Sequence, residues 1–152
     1  MNQLFDMTGK VAVVTGGSRG LGKEMICAFA EAGANVVIAS RKLENCETLA
    51  EEVRQKTGCK ALAHSCHVGD WDSLEGLVDA AYSEFGKVDT LVNNAGMSPL
   101  YDKIEDVSEG LWDKVIDVNL KGPFRLTQLI GPRMAAGDGG SIINVSSIAS
   151  HY

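Results

Sequence analysis

The sequence has 152 residues, of which 45% are hydrophobic and 22% are charged, and this composition indicates one folded domain rather than a disordered or fibrous chain. Acidic residues outnumber basic residues by 20 to 14, and the resulting net charge of −6 at pH 7 argues against nucleic acid as a partner. The sequence contains no run of about 18 apolar residues, so we expect no membrane partner. Its four cysteines form no CxxC pair, which favours a reducing, cytoplasmic location.

Apolar runs alternate with amphipathic segments through the first half of the chain. The run at 11–15 is largely β-branched and predicts a strand that is buried on both faces. Apolar residues spaced as on one helix face follow at 21–32, and Gly33 predicts the end of that helix. A strand at 36–39, a helix from 43 to near Gly58 and a weaker strand at 61–66 continue the alternation.

The second half of the chain continues the same order. Asp70 or Asp72 predicts the cap of a third helix that ends at Gly86, and a fourth strand follows at 88–92. A long helix is predicted over 108–134, bent at Gly122-Pro123, before a glycine turn at 137–140 and a fifth strand at 142–145. Strict alternation of strand and helix predicts an α/β, doubly wound parallel sheet with helices on both faces. Ligands of such sheets bind beyond the carboxyl ends of the strands, where the strand order reverses.

A glycine-rich turn joins the first predicted strand to the first helix. Gly16 permits a tight turn, Gly20 lets a diphosphate approach the backbone, and Gly22 lets helix and strand pack closely. Free N–H groups and the positive end of the helix would then face the anion. We therefore predict a dinucleotide site whose contacts are Gly16, Ser18, Arg19, Gly20, Leu21 and Gly22.

The same turn also fits the start of a nucleoside-triphosphate loop. Residues 17–23 match GxxxxGK, but the next position is Glu24, where such a loop needs a Ser or Thr hydroxyl to hold magnesium. A carboxylate at that position repels phosphate groups, so we exclude the triphosphate interpretation.

Three further motifs accompany the glycine turn. They are Asn93-Asn94-Ala95-Gly96 after the fourth strand, Asn119 within 118–122, and Ser146-Ser147 after the fifth strand. Together with Thr-Gly-x-x-x-Gly-x-Gly, they resemble the short-chain dehydrogenase/reductase family over the whole chain. The resemblance implies a Rossmann-type sheet of seven strands, of which five are present here. It also implies an NAD(P)-dependent oxidoreductase that transfers a hydride between nicotinamide and a carbonyl or alcohol substrate, usually as a homo-oligomer (tetramer or dimer).

The resemblance also assigns roles to residues of this chain. It places Asn94, Ala95 and Gly96 under the cofactor ribose, whereas Asn93 is expected to tie neighbouring strands together. Ser147 is the residue expected to hydrogen-bond the substrate oxygen, with Ser146 as the alternative. Asn119 is expected to hold a water molecule in the proton relay.

The family's catalytic Tyr-x-x-x-Lys is expected farther along than this sequence extends. Tyr152 is predicted to be a loop residue rather than the catalytic acid. We therefore expect residues 1–152 to be a single NAD(P)-binding domain, truncated before that segment and inactive alone, with the fifth strand at an unprotected apolar edge. Two alternatives stay open: a non-catalytic dinucleotide-binding module or sensor, and an assembly subunit that uses the 108–134 helix as its interface.

The end of the second strand bears on which dinucleotide is bound. Ser40 stands where NAD sites place a carboxylate for the adenosine ribose, about 20 residues past the glycines. Without that carboxylate, Arg41 can hold a 2′-phosphate through its planar fork, and Arg19 can approach the same phosphate. We therefore predict NADP over NAD; the alternative is that Arg41 begins a solvated helix.

The end of the third strand departs from the family pattern. Relatives often carry an acidic or amide residue beside the adenine, and this chain has His67, so the main chain of Val68 is the predicted contact. The neighbouring His64 and Cys66 share one face of a strand while His67 points to the other face. Three ligands therefore do not converge, and we predict no metal site.

Overall fold

A computed structural model describes residues 3–147, in which strands and helices alternate as predicted. The elements are β1 (Val11–Thr15), α1 (Gly20–Glu31), β2 (Asn35–Ser40), α2 (Leu43–Thr57), β3 (Ala61–Ser65), α3 (Ser73–Phe85), β4 (Thr90–Asn93), α4 (Glu109–Ile116), α5 (Gly122–Ala136) and β5 (Ser141–Asn144). Short 3-10 turns lie at Gln3–Phe5 and Ile104–Asp106, and a π-helical segment, Asp117–Lys121, joins α4 to α5. No helix of the described part is long and apolar enough to cross a membrane.

All five strands are parallel and lie in the order β3-β2-β1-β4-β5. In the central register, Val13 of β1 lies between Val37 of β2 and Leu91 of β4. The chain builds outward from β1 to β3 and then returns to the other side of β1, so the strand order reverses between β1 and β4. The predicted doubly wound, Rossmann-type fold is therefore confirmed.

Helices cover both faces of the sheet because successive strand residues point to opposite sides. On one face Val14 and Ile38 pack with α1 and α2, and on the other Val13 and Val37 pack with α3 and α5. The largest fully buried side chains of the helices are Ile26, Leu49, Leu74, Leu77, Leu126 and Ile130. Since burial of each such side chain contributes roughly 2 kcal/mol, these two layers fix the sheet on which the site is built.

The helix ends follow the glycines, but one predicted cap is wrong. Gly58 and Gly86 end α2 and α3 with φ of +74°, the left-handed conformation that glycine adopts without strain. Asp72 occupies the N-cap position of α3, yet in the described residues neither it nor Asp70 caps the helix through its side chain. The backbone of Asp72 is already helical (φ −77°), which does not aim its carboxylate at the first N–H groups.

The long helix predicted over 108–134 is interrupted. It begins as predicted, since the Ser108 hydroxyl accepts the Leu111 N–H at 3.2 Å. The bend precedes Pro123 as expected, but it takes the form of the π segment Asp117–Lys121. Pro123 has no N–H to donate to the Asn119 carbonyl four residues earlier, which favours a departure from regular α-helix at this point.

Strand β5 forms one edge of the described sheet. Within residues 3–147, Ile143 of β5 and the following Val145 are 44% and 40% exposed. The two further strands that the resemblance implies do not fall among the described residues.

Candidate functional site

A cleft of about 400 Å³ opens at the carboxyl end of the sheet, beside the reversal point between β1 and β4. The ends of β1, β2, β3 and β4 supply its walls, together with the π segment. Its lining residues are Gly16, Arg19, Gly20, Ser40, Arg41, Cys66, His67, Val68, Asn94, Ala95, Gly96, Met97 and Val118. This is the position at which doubly wound sheets bind their ligands.

The glycine turn forms the floor of this cleft. Gly16 and Gly20 have φ of +64° and +55°, in the left-handed region that residues with side chains avoid. A Cβ atom on Gly22 would lie 2.2 Å from the Gly16 carbonyl oxygen, so only glycine lets α1 pack this closely on the turn. The Gly17 N–H donates to the Ala39 carbonyl at 3.2 Å and ties the turn to β2.

The amino end of α1 gives this floor a positive potential. The first N–H groups of a helix have no partner within the helix, and the helix dipole places partial positive charge there. The first turn of α1 contains no acidic residue. This corner is therefore suited to an anion such as a diphosphate.

Buried Thr15 fastens the glycine turn to the loop after β4. Its hydroxyl donates to the Val92 carbonyl at 3.3 Å and accepts the N–H groups of Asn94 and Ala95, each at 3.0 Å. The Asn94 side-chain amide donates to the Thr15 carbonyl at 2.9 Å. Asn94 thus holds the two loops together and, with Ala95 and Gly96, lines the cleft.

Two arginines give the β2 side of the cleft its charge. Arg19 and Arg41 both line the cleft, and no carboxylate does so within residues 3–147. Neither arginine forms an ion pair with any described carboxylate. The Ser65 hydroxyl donates to the Arg41 carbonyl at 3.2 Å and fixes the main chain there. Two unpaired cations beside Ser40 suit a second anionic group.

The loop after β3 closes the cleft on the same side. Val68 is 8% exposed, and no described residue accepts a hydrogen bond from its N–H. His67 accepts the Gly69 N–H at Nδ1, at 3.2 Å. Burial raises the pKa of the Cys66 thiol to about 11, so this cysteine is not a thiolate nucleophile near neutral pH. Among residues 3–147, no three metal-ligating side chains come together.

Asn119 lies in the π segment and fixes the position of the loop after β4. Its Oδ1 accepts the Met97 N–H at 2.9 Å, and its Nδ2 donates to the Met97 carbonyl at 2.8 Å. Both ends of the side-chain amide are therefore engaged with the protein main chain. The water-holding role of Asn119 stays a prediction.

A second cavity adjoins the first across Ala95 and Gly96, between β4, β5 and α5. In its wall the Asn93 amide donates to Asn144 Oδ1 at 2.8 Å, which confirms that Asn93 ties two strands together. Ser146 and Ser147 follow β5 as exposed residues and do not line either cavity. Tyr152 lies outside the described residues.

The structure thus brings together most, but not all, of the predicted contacts. Those that line the cleft are Gly16, Arg19, Gly20, Arg41, Val68, Asn94, Ala95 and Gly96. Ser18, Leu21 and Gly22 do not line it: Leu21 is 68% exposed, and Gly22 packs against the turn itself. Thr15, whose hydroxyl fastens the two loops, was not predicted as a site residue. A threonine at the end of a buried strand is a pattern from which such a role could have been predicted. The pairing of Met97 with Asn119 has no comparable pattern in the sequence.

Comparisons with known proteins agree with this geometry. The family profile described as short chain dehydrogenase matches residues 10–152. The chain is 39% identical over 150 residues to dehydrogenase/reductase SDR family member 4 of Homo sapiens, covering 99% of this chain and 54% of the relative. It is 39% identical over 146 residues to an NAD-dependent glycerol dehydrogenase of Listeria innocua, covering 96% of this chain and 56% of the relative.

Solved structures show the same likeness. A metagenomic short-chain oxidoreductase in complex with NADP superimposes with a TM-score of 0.90 at 34% identity, covering 96% of this chain and 66% of that protein. The chain spans about half the length of the curated relatives it matches, as the coverages of 54% and 56% show.

Proposed function

Since the chain belongs to the short-chain dehydrogenase/reductase family, we propose that it is the cofactor-binding part of an NADP-dependent oxidoreductase. The protein that contains it would transfer a hydride between nicotinamide and the carbon of a small carbonyl or alcohol substrate. One observation carries this proposal: a left-handed glycine turn under the amino end of α1, at the reversal point of a parallel sheet.

Each part of the cleft has a role in this proposal. Main-chain amides of residues 16–22 hold the diphosphate, as the free N–H groups of a helix start allow. The surface of Asn94, Ala95 and Gly96 supports the ribose, and the unpaired N–H of Val68 meets the adenine. The domain is then residues 1–152, one dinucleotide-binding unit.

The choice of NADP rests on this chain's own residues. Of the similar proteins, one is NAD-dependent by name and another holds NADP, so the comparisons favour neither cofactor. Arg41 and Arg19 face the cleft without acidic partners among the described residues, and Ser40 replaces the carboxylate that would repel a 2′-phosphate. Two cationic forks at one corner are suited to a phosphate monoester.

The chemistry that this chain contributes is positioning. When bound, the dinucleotide supplies the hydride donor or acceptor. Ser147 is proposed to donate a hydrogen bond to the substrate oxygen and so stabilise the charge that develops there. The Asn119–Met97 pair holds the loop between the two cavities, so that substrate and cofactor would meet over Ala95 and Gly96. The acid–base tyrosine and its lysine are expected beyond Ser147.

We also propose a homo-oligomer, a tetramer or a dimer, that assembles through the α4–α5 face. Trp112, Leu120 and Phe124 are 62%, 60% and 58% exposed there, and contiguous exposed apolar side chains are typical of association surfaces. A reducing, cytoplasmic location is proposed because all four cysteines are unpaired.

The test is titration of the complete protein carrying residues 1–152 with NADPH and NADH by calorimetry, followed by turnover on a panel of carbonyl compounds. Saturable binding with NADPH preferred, and oxidation of NADPH by at least one carbonyl class, are expected. Absence of binding by either dinucleotide would refute the proposal. Binding without any turnover would favour the sensor alternative.

A further inference from the structure

The π segment Asp117–Lys121 touches both sides of the cleft. On one side Asn119 pairs with the main chain of Met97, in the loop after β4. On the other side Val118 and the following Gly122 lie against the loop after β3. The two loops come from opposite halves of the sheet, so one segment sets the position of both.

Gly122 makes the closer of these approaches. A Cβ atom there would lie 2.2 Å from the Val68 carbonyl oxygen and 3.0 Å from its carbonyl carbon. The backbone of Gly122 is ordinarily helical (φ −60°), so the glycine is not required for conformational reasons. It is required because the main chain of Val68 occupies the space of a side chain.

The loop after β3 is held against α5 from outside. The ring of Trp71 stacks on Phe124 with centroids 6.3 Å apart, and the Arg125 guanidinium lies 4.8 Å above the Trp71 ring. The Arg125 side chain also pairs with Glu75 of α3. A side chain on Gly122 would therefore have to displace a braced loop, carrying Val68 and its unpaired N–H with it.

We propose that Gly122 is a positioning residue for the adenine end of the cofactor, acting through the main chain of Val68, while Asn119 positions the other end through Met97. This inference rests on the proposed dinucleotide site. It assigns different ends of one ligand to two residues that stand three positions apart in the sequence.

The test separates the two ends with two ligands, NADPH and adenosine 2′,5′-bisphosphate, which carries only the adenine end. In the complete protein, Gly122→Ala is expected to raise the Kd of both ligands about tenfold, as for one lost main-chain hydrogen bond. Asn119→Ala is expected to raise the Kd of NADPH by a similar factor and to leave that of the bisphosphate unchanged. Gly110→Ala, at a helical glycine whose Cβ meets nothing within 4 Å, is the matched control and is expected to change neither.

If Gly122 had only a structural role, Gly122→Ala would lower the unfolding temperature and leave the Kd of both ligands unchanged. Wild-type affinity of folded Gly122→Ala for the bisphosphate would overturn the inference. If that variant does not fold, Trp71→Ala replaces it: loss of the brace is expected to weaken bisphosphate binding severalfold, and unchanged binding overturns the inference equally. Failure of the wild-type protein to bind either ligand would instead refute the dinucleotide site itself.

Discussion

At the scale of single residues, charge distinguishes this cleft from the rest of the surface. The chain carries a net charge of −6, yet the cleft presents Arg19 and Arg41 and, within residues 3–147, no carboxylate. A locally positive cleft on an acidic protein attracts an anionic ligand while leaving polyanions such as nucleic acids unfavoured. These charges favour a small anionic ligand over a polyanion.

Arg41→Ala is expected to weaken NADPH binding by about ten- to a hundredfold, the range for a lost charge-assisted hydrogen bond. NADH lacks the 2′-phosphate, so its Kd is expected to change by less than about threefold. Calorimetry with both dinucleotides measures the ratio, and Lys42→Ala, the adjacent cation that does not line the cleft, is the control. Equal losses for both dinucleotides would disprove the 2′-phosphate assignment.

Ser147→Ala in the complete protein is expected to lower kcat by about a hundredfold or more, because it removes one donor to the developing negative charge. The Kd of NADPH is expected to stay at its wild-type value, since Ser147 does not line the cleft. Steady-state kinetics and calorimetry separate the two effects. Ser146→Ala serves as the comparison, and a larger kcat loss there than in Ser147→Ala would exchange the two assignments.

At the scale of elements, a buried carboxylate ties the two central strands at the end of the sheet opposite the cleft. Asp89, which precedes β4, accepts the Val11 N–H of β1 at 2.9 Å and is paired with Lys10 and Lys87 at 3.2 and 3.1 Å. Burial alone would raise the pKa of Asp89, but the Val11 N–H and the two lysines outweigh it, so that this pKa lies below its ordinary value.

This direction fixes the pH dependence of stability. A carboxyl group with a depressed pKa in the folded state stabilises the fold above its unfolded pKa, near 3.8, and loses that contribution as pH falls further. Asp89→Asn is expected to lower the free energy of unfolding by about 2 kcal/mol at pH 7. In urea titrations the difference from wild type should shrink below about pH 4. A difference that stays constant down to pH 2.5 or so would contradict this account.

The boundaries of several strands and helices can be predicted from the sequence. Buried parallel strands are continuous apolar runs, and Gly58 and Gly86 end helices in a conformation that glycine favours, so these boundaries are local properties. The π segment was not predicted, because over five residues its periodicity cannot be told from that of an α-helix. The sequence shows only Pro123, which favours a departure from regular α-helix before it.

At the scale of the whole molecule, the site is a consequence of topology. Loops that are distant in sequence meet because parallel strands end at the same edge, which is why strand-end residues such as Gly16 and Ala95 could be placed in one cleft beforehand. The contacts that fix those loops could not be predicted. The pairing of Asn119 with Met97 and the approach of Gly122 to Val68 depend on helix packing over the assembled sheet.

Oligomeric assembly is a property of the whole molecule. Trp112→Glu is expected to lower the mass of the complete protein in sedimentation equilibrium, because a charge on the exposed α4–α5 face opposes burial of its apolar side chains. Ile104→Glu, an equally drastic change at a residue that is 74% exposed outside that face, is expected to leave the mass unchanged. An unchanged mass in Trp112→Glu would place any interface elsewhere.

The most direct measurement is a crystal structure of the complete protein with NADPH. We expect the diphosphate on the main-chain amides at the start of α1, the 2′-phosphate between Arg19 and Arg41, and the adenine against Val68. Density for the dinucleotide at any other place, or an empty glycine turn at saturating NADPH, would contradict it.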